Sequence, residues 1–179
     1  MRLLLPVPPA SVLAAAALGA AVTPRPVEPS ITEAVGFLAG EWAAAFDPPA
    51  AGARPTPGIV YTRWGAGRSW LESDVKVAQA APPYAVHIVI GFDRLRQRPV
   101  AYAVNTLAPA PIAYEGEVPA PGRVVFTGAV AGRWQRVSYR RVDGDHLDFL
   151  VEAAATPDGP WTPYSHAALV RLPRTGGGS

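Results

Sequence analysis

The chain has no cysteine. Disulfides, thiolate zinc ligands and a lipid-bearing cysteine are therefore excluded, so an exported form would rely on packing alone. Lysine is nearly absent: Lys76 stands against 15 arginines. An excess of one charge sign is missing too, with 16 basic and 14 acidic residues and a net of +2. That balance leaves no electrostatic footprint for nucleic acid. No long apolar run is present, because the uncharged stretch 11–21 is too short to span a bilayer. Catalytic signatures are lacking as well. There is no His-Glu-x-x-His, no close histidine pair and no Gly-x-Ser-x-Gly, so a zinc hydrolase or a serine hydrolase has no sequence support.

What remains is a chain of 179 residues, the usual size of one domain with a core of its own. Its N-terminus has the form of a secretory signal peptide: Arg2, then leucines, an apolar stretch, and small residues at Gly19, Ala20 and Ala21. The Arg-, Ala- and Pro-rich composition fits a GC-rich bacterial genome, and the expected location is periplasmic or secreted. The predicted organisation is a signal peptide over 1–21, a Pro-rich linker over 22–29, one domain over 30–173 and a flexible tail over 174–179. Ser30-Ile31-Thr32-Glu33 has the form of a capping box. It predicts a short helix through Leu38, with Gly40 as its left-handed stop.

The rest reads as strands. Tyr84, Val86, Ile88, Ile90 and Phe92 alternate with Ala85, His87, Val89, Gly91 and Asp93. Similar alternation covers 98–107 and 145–155, and period two with β-branched and aromatic residues marks sheet faces. Turn chemistry falls between these runs at Pro82-Pro83, Pro121-Gly122, Asp143-Gly144 and Asp158-Gly159. About ten strands follow, near 41–47, 58–65, 68–79, 84–93, 98–107, 111–118, 122–130, 133–142, 145–155 and 162–172. No helical crossover separates them, so neighbours should be antiparallel. The fold expected is an all-β antiparallel meander barrel of about 8–10 strands, which leaves no open edge. A two-sheet sandwich is the alternative.

Phe37-Leu38-Ala39-Gly40-Glu41-Trp42 resembles the Leu-x-Gly-x-Trp opening of calycin proteins, which include lipocalins and nitrobindins. The resemblance implies that Trp42 packs at the closed end of the barrel and that Arg171, from the last strand, covers it. Segments 63–72, 91–93, 114–116 and 158–161 are similar to pieces of a bacterial calycin-like family, domain of unknown function 1579. Together the similar pieces span about 31–172. The family's final Tyr-x-Arg is here Leu169-Val170-Arg171. Gly40, Trp42 and Arg171 form the structural signature.

Candidate chemistry is sparse. Of three histidines, His146 adjoins a predicted turn, His87 lies mid-strand, and His166 shares a strand face with Tyr164, Ala168 and Val170. If that face is interior, His166 could ligate haem as nitrobindin-like barrels do. A hydrogen-bonded core or surface histidine is the plainer reading, and no cofactor is expected. Glu72 with Asp74, and Glu115 with Glu117, stand at i and i+2 as in an outward polar stripe. Gly65-Ala66-Gly67 lacks the following helix of a phosphate cradle and reads as a turn. Arg133, Arg136, Arg140 and Arg141 interleave with Trp134 and Tyr139, but on a near-neutral exported chain they read as solvated exterior.

Candidate lumen residues are Trp64, Trp70, Tyr102, Tyr114 and Trp134, with Asn105 and His166 as polar members. A one-residue register error would invert the set. The function expected is binding of a small apolar or amphipathic molecule inside the barrel, without catalysis. The alternatives are a barrel enzyme of isomerase or cyclase type and an envelope interaction module.

Overall fold

A computed structural model describes residues 30–48, 52–77, 80, 82–107 and 110–173. The expectations for the signal peptide, the linker and the tail lie outside the described residues. Helix α1 covers Ile31–Val35 and runs into a 3₁₀ turn at Gly36–Leu38. Ten strands follow: β1 Gly40–Phe46, β2 Thr56–Trp64, β3 Leu71–Val77, β4 Tyr84–Asp93, β5 Arg98–Asn105, β6 Ile112–Ala120, β7 Arg123–Val130, β8 Arg133–Arg141, β9 His146–Ala154 and β10 Thr162–Arg171. Each pairs antiparallel with the next, and β10 returns to β1, so the sheet closes into a meander barrel as expected. Among the described residues no helix is long and apolar enough to cross a membrane.

The capping box forms. The Ser30 hydroxyl accepts from the Glu33 amide at 3.3 Å, and the Glu33 carboxylate accepts from the Ser30 amide at 2.8 Å. The Ser30 amide, and the Ser30 hydroxyl donating to the same oxygen at 3.1 Å, hold the Glu33 carboxyl below its ordinary range. The expected stop at Gly40 is corrected. The chain tightens into the 3₁₀ turn and leaves it through Ala39 in an extended conformation. Gly40 already belongs to β1, with φ 149°. Its missing Cβ serves another end, because a side chain there would collide with the Arg171 guanidinium.

That guanidinium seals one end of the barrel. Trp42 and Arg171 are register partners across β1 and β10, and the Arg171 carbon lies 4.0 Å from the indole centroid. The indole is 1% exposed and donates to the Leu38 carbonyl at 3.0 Å. Arg171 donates to the Ala39 carbonyl at 3.1 Å and the Gly144 carbonyl at 3.2 Å. Guanidinium stacking on indole combines electrostatic attraction with coverage of apolar surface. Beneath the pair, Val60, Thr62, Ser73, Ile90, Tyr139, Leu147 and Leu169 leave a void of only about 10 Å³. That is at most the room of a single water.

Outside, opposite charges pair across adjacent strands. Arg63 meets Glu72 at 2.9 Å, Arg136 meets Glu152 at 2.8 Å, and Arg140 meets Asp148 at 3.0 Å. Glu115 meets Arg98 at 2.8 Å, and the Asp74 carboxylate is hydrogen-bonded to the His87 ring at the same distance. The carboxylates at i and i+2 thus belong to an exterior polar layer.

Candidate functional site in the barrel lumen

The lumen holds a cavity of about 420 Å³. Ile90 and Tyr139 border both this cavity and the packed layer around Trp42, so they form its floor. Its volume comes from small inward residues. On β5 the inward positions are Ala101 and Ala103, both buried, while Tyr102 and Val104 point out. On β7 the inward Gly128 makes room for the ring of Tyr114, since a Cβ there would sit 2.8 Å from Tyr114 Cδ1. The walls are otherwise aliphatic and aromatic. Phe149 meets Tyr139 at 5.1 Å and Phe46 edge-on at 6.1 Å between ring centroids.

Polar atoms are few and all neutral. Among the described residues lining the cavity none carries a charge; the polar members are Asn105, Gln135, Ser165 and the phenols of Tyr84, Tyr114, Tyr139 and Tyr164. The Tyr114 hydroxyl donates to Gln135 Oε1, and Gln135 Nε2 donates to the Tyr164 oxygen. Burial pushes all four phenols upward from their ordinary ionisation, because the phenolate would lose its hydration. They are therefore protonated throughout the neutral range. The site can donate hydrogen bonds and exclude water. Among the described lining residues there is no pair of groups whose proton affinities are driven apart for acid–base work.

Of the residues expected in the lumen, Tyr114 and Asn105 line it. Tyr102 does not: it is 57% exposed on the outer face. Trp134 is also outward, because its neighbours Gln135, Val137 and Tyr139 take the inner face of β8. Trp64 ends β2 at the closed end, beside Gly36 and under Arg68, whose guanidinium carbon lies 4.8 Å from its centroid. Trp70 precedes β3 at the same end and donates to Glu72 Oε1 at 3.1 Å. These two tryptophans cap the closed end rather than the cavity.

His166 is outside as well. A bulge between Pro163 and Ser165 resets the alternation of β10, so Ser165, Ala167 and Leu169 face in. Both His166 ring nitrogens are engaged, one by Asp47 at 2.9 Å and the other by Asp148 at 2.7 Å. The bond to Asp148, partly offset by burial and reinforced by Asp47, raises the imidazole above its ordinary 6.5. Neither nitrogen points into the lumen, so the haem geometry imagined for an interior His166 is not formed. The same bulge carries Tyr164 to the cavity rim.

Sequence reasoning missed Tyr84, Tyr139, Gln135 and Tyr164. Three of them carried a signal: Tyr84 shares parity with Val86 and Ile88, and Gln135 and Tyr139 share parity with Val137. Tyr164 carried none, because a bulge is invisible to strict alternation.

No protein-family profile matches the chain, and no curated protein matches it. Among solved structures it is similar to an S-type phycobiliprotein lyase from Guillardia theta, at 10% identity and a TM-score of 0.47. The match covers 78% of this chain and 91% of that one. At that distance the likeness bears on neither ligand nor activity.

Proposed function

We propose that this chain is a binding protein of calycin type that holds one small, neutral, apolar or amphipathic molecule in its barrel. The carrying observation is the cavity of about 420 Å³ with uncharged walls. Its size lies within the ~300–1,000 Å³ usual for small-molecule sites. At about 30 Å³ of liquid volume per water, it matches on the order of fourteen waters. Residues of Leu or Phe size at the positions of Ala101 and Ala103 would fill this space and pack the barrel better. Keeping them small forgoes van der Waals contacts, which a ligand restores.

The Phe37–Trp42 opening and the Arg171 stack on Trp42 support placement beside calycins, and the segments quoted above support kinship with domain of unknown function 1579. The N-terminal pattern supports a periplasmic or secreted carrier. Catalysis has less support, because the lumen offers donors without a titrating partner.

The test pairs a neutral reporter, N-phenyl-naphthylamine, with the variant Ala103→Phe. Ala103 is 4% exposed and lines the cavity. The new ring occupies lumen space, so melting should hold while reporter affinity drops at least ~10-fold, about 1.4 kcal/mol. Equal reporter binding by a folded Ala103→Phe variant would place the reporter elsewhere and sink the lumen reading.

A further inference from the structure

The four phenols of the lumen are not equivalent. Tyr114 and Tyr164 are tied to each other through the Gln135 amide. Reversing that amide would swap the roles but still engage both hydroxyls. Tyr139 and Tyr84 stand apart from this relay. Among the described residues neither hydroxyl has a hydrogen-bond partner, although Tyr139 is only 8% exposed and forms the cavity floor. Tyr84 lies close enough to act electrostatically on the phenols of both Tyr139 and Tyr114.

Arg98 Nε, outside the lumen, is the one fully buried side-chain polar atom without a partner among the described residues, so the Tyr139 hydroxyl is open to the cavity it lines, and a donor open to an apolar cavity with no protein partner is left for an occupant. A phenol is a good donor and a mediocre acceptor, and burial keeps these two protonated. The walls around them hold no carboxylate, amine, imidazole or guanidinium among the described residues. An anion entering the lumen would lose its hydration with no counter-charge to meet it.

We infer that the lumen selects a neutral molecule bearing a carbonyl-type acceptor oxygen, seated against the Tyr139 hydroxyl at the cavity floor, with Tyr84, which starts β4 at the open end, as a second donor. The remainder of the molecule is apolar and extends toward the rim, where the Tyr114–Gln135–Tyr164 relay closes around it. This assignment rests on the lumen being the binding site, and it adds the chemical class of the occupant. It also orders the site by depth: the recognised oxygen lies inward and the hydrocarbon outward.

Three probes of matching size separate the terms: hexanophenone, a neutral ketone; hexylbenzene, which lacks the acceptor; and phenylhexanoate, an anion. Titration calorimetry on the full chain should show hexanophenone binding ~5- to 10-fold tighter than hexylbenzene, the value of one hydrogen bond. Phenylhexanoate should bind at least ~10-fold more weakly than the ketone. The double variant Tyr84→Phe/Tyr139→Phe should erase the ketone preference and leave hexylbenzene affinity intact. Tyr114→Phe, whose hydroxyl is committed to Gln135, should retain the preference. Removing only a hydroxyl keeps the ring packing, and Tyr139→Phe alone serves if the double variant melts early. Equal affinity for ketone and hydrocarbon in the unaltered chain would overturn the inference. So would a preference that survives in the variants, or a carboxylate that binds as tightly as the ketone. Those results leave lumen binding standing. Failure of all three probes to bind would remove lumen binding and this inference with it.

Discussion

The Trp42–Arg171 stack allows a stability prediction worked from its geometry. Trp42→Ala removes a side chain that is 1% exposed, together with its hydrogen bond to the Leu38 carbonyl. Truncating a buried tryptophan costs about 3–5 kcal/mol. In a domain of this size each kcal/mol corresponds to about 2–4 °C in Tm, so a fall of roughly 6–20 °C is expected. Arg171→Ala loses the stack, worth about 0.5–2 kcal/mol, and bonds to the Ala39 and Gly144 carbonyls that are partly open to solvent. Its cost should be smaller, roughly 1–3 kcal/mol. A double-mutant cycle read by urea unfolding isolates the coupling, expected near 0.5–2 kcal/mol. The two sites lie at the sealed end, so reporter affinity in the Arg171→Ala variant should stay within about twofold of the parent chain at constant folding. A Trp42→Ala chain that loses less than about 1 kcal/mol, or a coupling near zero, would refute the assignment of this pair as the plug of the barrel.

Two further predictions concern pH. The Asp47–His166–Asp148 cluster stabilises the imidazolium, so the His166 contribution is fully present below its ordinary 6.5 and is lost as pH rises through its raised folded value. For Asp148, burial acts upward, but the bonds from His166 and Arg140 prevail and the net shift is downward. Its contribution is present above its ordinary 3.8 and lost as pH falls through the lower folded value. The urea-midpoint difference between the parent and His166→Gln should therefore peak between about pH 4 and 6.5, and a difference that grows toward pH 9 would contradict the cluster. Affinity for the neutral reporter should be flat from about pH 5 to 9, because burial raises every phenol lining the lumen. A change above about threefold in that range would reveal a titrating group in the lumen.

Much of the frame is legible in the chain itself. The alternation over 84–93 and its counterparts located ten strands, and turn residues such as Asp143-Gly144 separated them. Hairpin connections without helical crossovers left antiparallel neighbours as the simple solution. The capping box at Ser30 was readable because it needs only residues three apart. Gly40 was harder. A glycine after a short helix suggests a stop, yet the residue that requires it is Arg171, at the far end of the chain.

The lumen was much less legible. Contact area favours aromatic residues as its wall, an expectation that puts Tyr102 and Trp134 inside. The barrel does the reverse on β5, turning Ala101 and Ala103 inward and Tyr102 outward. A cavity is made by small inward side chains, and nothing in a strand's own alternation says which of two mildly apolar faces is the inner one. His166 shows the same limit, since one bulge after Pro163 moves it outside and brings Tyr164 to the rim.

The sequence by itself determined the elements, their antiparallel order and the residue types at the sealed end, because period-two patterning, turn chemistry and capping are local properties. Tertiary structure alone decided which face of each strand encloses the lumen, how much volume it holds, and that four phenols meet there with no charge among the described lining residues. The physical reason is closure. Only when β10 pairs with β1 do residues from every part of the chain share one enclosed space, and the phenols' loss of hydration exists only inside it.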